Sequence, residues 1–255
     1  GATSAIGEFI AQDKELTRQL LQEIGVPVPA GRPVESAADA WAAAQELGGN
    51  VVVKPRDGNQ GRGVATRLAS EAQVVAAYAT AREESSEVLV EKFVPGYDHR
   101  LLVVGGELVA AARREPPKVV GDGVRSIAAL IEEINQDPRR GDHHATVLSK
   151  IPLDDIALAV LAEQGLGADS VPPAGSVVLV RRNANLSTGG TATDVTDQVH
   201  PQVAAAAIEA AQAVGLDIAG IDVVATDIGR PLEEQHGAIL EVNAAPGLRM
   251  HLAPS

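Results

Sequence analysis

Two short apolar runs, Ile218-Ala219-Gly220-Ile221-Asp222-Val223-Val224 and Ile239-Leu240-Glu241-Val242-Asn243, constrain this chain more than any other stretch. Both are rich in β-branched residues and read as strands, with Asp227-Ile228-Gly229-Arg230-Pro231 breaking the chain between them. Side chains alternate along a strand, so Glu241 and Asn243 share a side. Asp222 stands in the middle of the other run, where an unpaired buried carboxylate is costly. Antiparallel pairing of the two runs brings all three oxygen-bearing side chains to one face. Two carboxylates and an amide, with no Cys or His among them, suit a hard cation such as Mg²⁺. A structural carboxylate with an ordinary partner is the plainer alternative for Asp222. The continuation Ala244-Ala245-Pro246-Gly247-Leu248-Arg249 adds a cation just past the second strand, a placement that suits an anionic substrate.

At 255 residues the chain has room for one or two domains. Only 2% of it is aromatic, so the core has to be built from Val, Ile, Leu and Ala. A net charge of −13 excludes general nucleic-acid binding, which needs a basic surface. Without Cys there is neither a disulfide framework nor a thiolate zinc site. No apolar run approaches the roughly 20 residues of a membrane span and no signal peptide opens the chain, so a cytoplasmic protein is expected. The start at Gly1-Ala2-Thr3-Ser4 and the stop at Pro254-Ser255 read as the ends of an excised piece.

Asp13 to Ile24 reads as a helix with Leu16, Leu20, Leu21 and Ile24 on one side and Lys14 in its first turn, where a solvated lysine is the default. Val26-Pro27-Val28-Pro29 is an extended connection, and Ser36 caps a second helix that runs to Leu47. Val51-Val52-Val53-Lys54-Pro55 is a strand, followed by Asp57-Gly58-Asn59-Gln60-Gly61-Arg62-Gly63 and a second strand from Val64 to Leu68. The Gly-Lys-Ser/Thr ending and following helix of a Walker A loop are both missing. A glycine-rich flap between strands fits better, its backbone able to approach phosphate and Arg62 adding charge; a hairpin tip without ligand is the alternative. Lys54, on a mainly apolar strand, calls for an anionic partner. Ser70-Glu71-Ala72-Gln73 is a capping box for a helix to about Arg82. Val88 to Val94 is a strand, and Leu101–Val104 with Glu107–Ala112 forms a hairpin about Gly105-Gly106 that ends in Arg113-Arg114. From about Val119 to Pro173 helices and polar loops read as an insertion packed on the main body. Adjacent His143 and His144 do not share a helix face and make a poor metal pair. After the strand Val177–Val180, the loop Asn183-Ala184-Asn185-Leu186-Ser187-Thr188-Gly189-Gly190-Thr191 offers many neutral donors for an oxyanion or phosphate, or is simply a polar surface loop. His200-Pro201 opens an Ala-rich helix to about Val214.

No single piece decides the function, but their order resembles the ATP-grasp ligases, and more narrowly the ATP-grasp domain of the cyanophycin synthetase family. The resemblance is carried by Asp13-Lys14-Glu15-Leu16-Thr17, Val53-Lys54-Pro55 with Asp57-Gly58-Asn59, and Arg100-Leu101-Leu102-Val103-Val104-Gly105-Gly106. It continues through Asn185-Leu186-Ser187-Thr188-Gly189-Gly190-Thr191, the Asp222 strand, and Glu241-Val242-Asn243-Ala244-Ala245-Pro246-Gly247 to Met250-His251-Leu252. The fold it implies is α+β: an ATP-grasp fold of two α+β lobes clamping ATP, residues 1–93 and 94–255, with a helical insertion at about 119–173.

The resemblance also implies roles. Lys14 and Lys54 would hold the α- and β-phosphates of ATP, with the flap at Gly58, Gly61, Arg62 and Gly63 closing on them. Glu91, Lys92 and Val94 would read adenine, and Asp98 would sit near the ribose. Asp222, Glu241 and Asn243 would bind Mg²⁺, while Asn185 and the Gly189-Gly190 backbone support the transferred phosphoryl group. Arg100 and Arg249 are candidates for contacts to substrate carboxylate or acyl phosphate. Gln60 and Asp142-His143-His144 depart from the family's pattern. The implied reaction activates the C-terminal carboxylate of a cyanophycin-type polymer primer and adds aspartate. A Mur-ligase-like domain and a homo-oligomer are implied for the full-length protein, with no nucleic-acid or membrane partner. The alternatives are an ATP-grasp ligase for another amino acid or dipeptide, glutathione-synthetase-like among them, and a non-catalytic nucleotide- or polymer-binding module.

Overall fold

The computed structural model describes residues 5–56, 63–141, 148–244 and 246–252. In chain order the first elements are α1 (Ala5–Gln12), α2 (Lys14–Glu23), β1 (Gly31–Val34), α3 (Ala37–Glu46), β2 (Val51–Pro55), β3 (Ala65–Leu68) and α4 (Glu71–Glu84). Next come β4 (Val88–Lys92), β5 (Tyr97–Val104), β6 (Glu107–Glu115), β7 (Lys118–Val120), α5 (Ile127–Asn135), β8 (Arg140–Gly141), β9 (Leu148–Ser149) and α6 (Asp155–Glu163). The chain ends with β10 (Val177–Leu179), β11 (Thr191–Asp194), α7 (Pro201–Val214), β12 (Ile218–Ala225), β13 (Ala238–Ala244) and α8 (Arg249–Leu252). Backbone packing divides it into two compact units, Gly1–Ala111 with Thr196–Pro246, and Ala112–Val195 with Gly247–Ser255. This partition differs from the lobe division expected at residue 93, because β5 pairs with β12 far along the chain. No helix among the described residues is long and apolar enough to cross a membrane.

The first unit holds two sheets. In one, the order is β1-β4-β2-β3, all antiparallel neighbours. Val51, Val53 and Pro55 of β2 are buried while Val52 and Lys54 face the other way, the alternation a half-covered strand requires. Its covered face meets α3 and α4 in a core of Val34, Ala40, Ala43, Ala44, Val51, Val53, Val74, Ala77, Ala81, Val88 and Val90. The scarcity of aromatic side chains is made good by small residues that let helix and sheet approach closely. Both helices start where the sequence caps them: Ser36 accepts from the Asp39 amide, and Ser70 with Gln73 forms the reciprocal capping box. In the other sheet of this unit, β5, β12 and β13 lie side by side, with β6 beyond β5 up to Ala111. Every residue of β12 after Ile218 is buried.

Three features of this unit depart from expectation. Helix α1 and strand β1 have no counterpart in the sequence reading. β1 contains Pro33, and it is tolerated because β1 is an edge strand. On α2, Leu16 and Ile24 are exposed, while Glu15, Thr17 and Leu21 are buried. The helix is turned so that a carboxylate goes inside, which costs little because Glu15 accepts from both Arg18 and Gln19.

The second unit has its own core, formed by Val119, Ile127, Leu130, Ile131, Ile151, Ala157, Leu161, Val178 and Val180. Strands β7 and β10 pair antiparallel, and Asn135 at the end of α5 bonds both backbone groups of Ile151, at 2.9 and 2.7 Å. Residues of the stretch 119–173 share one core with Val178 and Val180. The latter part of β6 belongs here and pairs with β11, Thr191 opposite Glu115 and Asp194 opposite Ala112.

Leu161 and Leu158 lie on the same helix, one fully buried and the other 41% exposed. Leu161→Ala is expected to lose about 2–5 kcal/mol of stability, against less than about 0.5 kcal/mol for Leu158→Ala. Urea unfolding of the two variants checks this, and equal losses would contradict the assigned core.

Candidate active site

The register of the second sheet in the first unit decides which side chains meet. Asp222 on β12 stands opposite Arg100 on β5 and opposite Glu241 on β13. Residues directly opposite on paired strands project to the same face. The expected antiparallel pairing is therefore present, with one irregularity between Asp222 and Val223. Arg100 donates to both carboxylate oxygens of Asp222, from Nε to Oδ1 and from Nη2 to Oδ2, the latter at 3.0 Å. Both side chains are nearly seven-eighths buried, so this fork is what makes the buried carboxylate tolerable. Gly220 leaves the space: a Cβ there would lie 3.1 Å from Arg100 Cδ and 2.7 Å from Pro246 Cβ. Glu241 has a looser partner, Lys14 Nζ at 3.8 Å, with both side chains partly exposed. Asn243 Nδ2 donates to the Gly220 carbonyl at 3.4 Å.

Lys54 and Glu91 form a further close pair in this unit. In the first sheet Glu91 stands opposite Val52, diagonal to Lys54 on the same face, and their charged atoms are 2.7 Å apart. The anionic partner that Lys54 requires is thus supplied by the protein itself. A pocket of about 370 Å³, including space open to solvent, is lined by Lys14, Arg18, Lys54, Glu91 and Glu241 above Ile239 and Val242. Arg18 was not anticipated. Its Nε and Nη2 donate to Glu15 at 3.0 and 2.6 Å, and this contact holds its guanidinium above the ordinary value despite burial. The signal available was the i, i+3, i+4 spacing of Glu15, Arg18 and Gln19. Lys14 is set by the cap before it: Asp13 accepts from the amides of Glu15 and Leu16 and from Arg56, Nη2 to Oδ2 at 2.6 Å.

The remaining expected residues are less gathered. Lys92 is exposed and Val94 half-buried. The amides of Lys92 and Phe93 donate to the carbonyls of Ala30 and Asn50, at 2.7 and 2.9 Å. Asp98 is half-buried two residues before Arg100, opposite Val224. Gly63 has a left-handed backbone, φ +67°. Gly58, Gly61, Arg62, Gln60 and Asp142-His143-His144 lie outside the described residues, as does the side chain of Arg249, whose backbone opens α8. In the second unit, Asn185 precedes a single 3₁₀ turn, Leu186–Thr188. The Gly189 and Gly190 amides donate inside that loop, to Leu186 and Asn185 carbonyls at 3.2 and 3.1 Å, rather than outward as an oxyanion cradle needs. Arg140 Nη1 braces the loop, donating to the Gly189 and Ser149 carbonyls at 3.1 and 2.6 Å, and burial pulls its pKa down.

Two carboxylates and an amide are a donor set that a hard cation accepts. Among the described residues no cluster of three or more His, Cys, Asp or Glu side chains is placed to hold a metal ion.

Comparisons with known proteins find similar sequences and folds along the chain. The family model of the carbamoyl-phosphate synthase L chain ATP binding domain matches residues 13–104, and that of the RimK-like ATP-grasp domain matches 179–253. Cyanophycin synthetase of Trichormus variabilis is 50% identical over 254 residues, 99% of this chain and 28% of that protein. The chain thus spans under a third of the length of the curated cyanophycin synthetases it matches. The crystal structure of a bifunctional glutathione synthetase from Pasteurella multocida is similar at TM-score 0.67 and 34% identity, over 100% of this chain and 35% of that one. D-alanine–D-alanine ligase from Bacillus anthracis shares the fold, at TM-score 0.58 and 16% identity, over 98% of this chain and 61% of that one.

The pair of Asp13 with Arg56 holds the Asp13 carboxyl below its ordinary 3.8, aided by the two helix amides. A depressed carboxyl pKa stabilises the fold above the unfolded value and ceases to do so as pH falls through the folded value. Asp13→Ala is expected to cost about 1 kcal/mol at neutral pH, with the gap to the parent closing below about pH 4. Denaturant unfolding at several pH values checks it, and a gap that widens in acid would contradict the assignment.

Proposed function

We infer the role of this chain from the fold it carries, the ATP-grasp fold: it is an ATP-dependent carboxylate–amine ligase unit of the cyanophycin synthetase kind. The observation that supports this is the match at about half identity along the whole chain, in which the first unit sets Lys14, Lys54, Glu91 and Glu241 around one pocket. In this reading the C-terminal carboxylate of a poly-aspartate primer attacks the γ-phosphorus of ATP and ADP leaves. The amine of aspartate then attacks the acyl phosphate, an amide forms, and phosphate departs with loss of the amine proton.

The chain's own contribution is positioning and charge compensation. Lys14 and Lys54 hold the phosphates, exchanging Glu241 and Glu91 for the nucleotide. In this reading Glu91, Lys92 and Val94 are assigned to the adenine, Asp98 to the ribose, and Gly58, Gly61, Arg62 and Gly63 to the phosphates. Asp222, Glu241 and Asn243 would hold Mg²⁺, which when bound would supply charge to offset that of the phosphates. Asn185 and the Gly189-Gly190 loop are assigned in the same reading to the transferred phosphoryl group, Arg100 to phosphate or acyl-phosphate oxygens, and Arg249 to substrate carboxylate. In the longer relatives' setting, a Mur-ligase-like domain modifies the polymer, the protein is a homo-oligomer, and it works in the cytoplasm. A second reading, in which glycine is joined to a γ-glutamyl dipeptide, is favoured by the 34% identity to glutathione-synthesising relatives.

ADP release measured with Mg²⁺-ATP, a short cyanophycin primer and aspartate tests the proposal. Release that needs both primer and aspartate is expected; release driven instead by glycine with γ-glutamylcysteine would favour the second reading, and release indifferent to all of them would overturn both. Lys54→Ala is expected to weaken ATP binding about tenfold or more, the loss of one charged contact. Glu241→Ala chiefly removes Mg²⁺-dependent turnover, and parental activity in both variants would refute the site.

A further inference from the structure

We propose that Arg100 is an internal counter-cation that keeps Asp222 closed to divalent metal until nucleotide phosphate draws the guanidinium away. The inference rests on reading the first unit as the nucleotide and metal site. Three observations carry it. Both oxygens of Asp222 are already engaged by one guanidinium fork. That carboxylate is buried, so removing the Arg100 fork without a cation in its place is costly. And the fork is built in: Arg100 and Asp222 are cross-strand partners, with Gly220 leaving room for the arginine stem.

The second carboxylate of the set offers a contrast. Lys14 lies 3.8 Å from Glu241, and both side chains are more open to solvent than the Arg100–Asp222 pair. A single long contact in that setting competes weakly with an arriving cation. Arg100 is therefore the gate, and Lys14 is not. A guanidinium binds phosphate oxygens through the same fork geometry it uses for carboxylate, so a bound nucleotide offers it an equivalent partner. Metal and nucleotide then bind with positive coupling. Each raises the affinity of the other by the same factor, which for such linkages is about 5- to 150-fold.

The test is a titration of the nucleotide-free chain with Mn²⁺, followed by the electron paramagnetic resonance signal of the free ion. The unsubstituted chain should bind weakly and Arg100→Gln about tenfold more tightly. The double variant Arg100→Gln with Asp222→Asn should lose that gain. Arg100→Lys, which keeps the charge and loses the fork, should fall between, and it carries the test if the glutamine variant does not fold. Lys14→Gln should change the affinity less than about twofold. Unchanged Mn²⁺ affinity in both Arg100 variants would overturn the proposal, as would a gain that survives loss of Asp222. Binding of a fluorescent ATP analogue by the unsubstituted chain separates the failures. If the analogue binds while the Arg100 variants are unchanged, only the counter-cation role falls; if it does not bind, the underlying reading falls too.

Discussion

An aspartate in the middle of a strand that is buried on nearly every residue has to be matched by a cation, and in this chain the match comes from the neighbouring strand. Arg100 on β5 holds Asp222 on β12 through both oxygens, and that pairing bears on the register of its sheet. A slip of one residue between β5 and β12 would send Asp222 to the opposite face and strand both charges in apolar surroundings. The register is thereby fixed, and with it the position of β13, where Glu241 stands opposite Asp222 and Asn243 two residues on. Gly220 is part of the same arrangement, since any side chain there would collide with the arginine stem or with Pro246.

The pocket carries its charges in matched pairs that differ in strength. Lys54 and Glu91 are 2.7 Å apart and largely buried, whereas Lys14 and Glu241 are 3.8 Å apart and partly solvated. An exposed pair of the second kind is worth no more than about 1 kcal/mol, so it holds Lys14 near the pocket without committing it there. The commitment comes from the helix: Asp13 caps α2 and is clamped by Arg56, which sets the first turn and the lysine on it. If this pocket receives ATP as proposed, the site is assembled with its cations already neutralised. Binding becomes an exchange of partners rather than the filling of a bare positive cavity.

Local chemistry made much of this legible in the sequence. The caps at Asp13, Ser36, Ser70 and His200 each mark the start of a helix, because one side-chain acceptor placed before an apolar-periodic run satisfies amides that have no partner within the helix. The pairing of the Asp222 and Glu241 strands was legible from β-branching and a turn. Contacts between distant residues were not. Lys54 announced a need for an anion, but nothing local said that Glu91 would meet it. The burial of Glu15 instead of Leu16 depends on how α2 is turned against its neighbours, which periodicity alone leaves open. That the segment 119–173 shares its core with Val178 and Val180, which lie beyond it in the chain, is likewise a long-range contact that local patterning does not show. Edge strand β1 escaped notice because a proline inside four residues argues against a strand unless its free side faces solvent.

The central claim, that the pocket of the first unit takes ATP by exchanging its internal ion pairs, is tested most directly by a crystal structure of the chain with a non-hydrolysable ATP analogue and Mg²⁺. The account predicts phosphates against Lys14 and Lys54, metal at Asp222 and Glu241, and Arg100 turned from Asp222 to a phosphate oxygen. Nucleotide bound away from these lysines, or Arg100 still forked on Asp222 beside the metal, would contradict it.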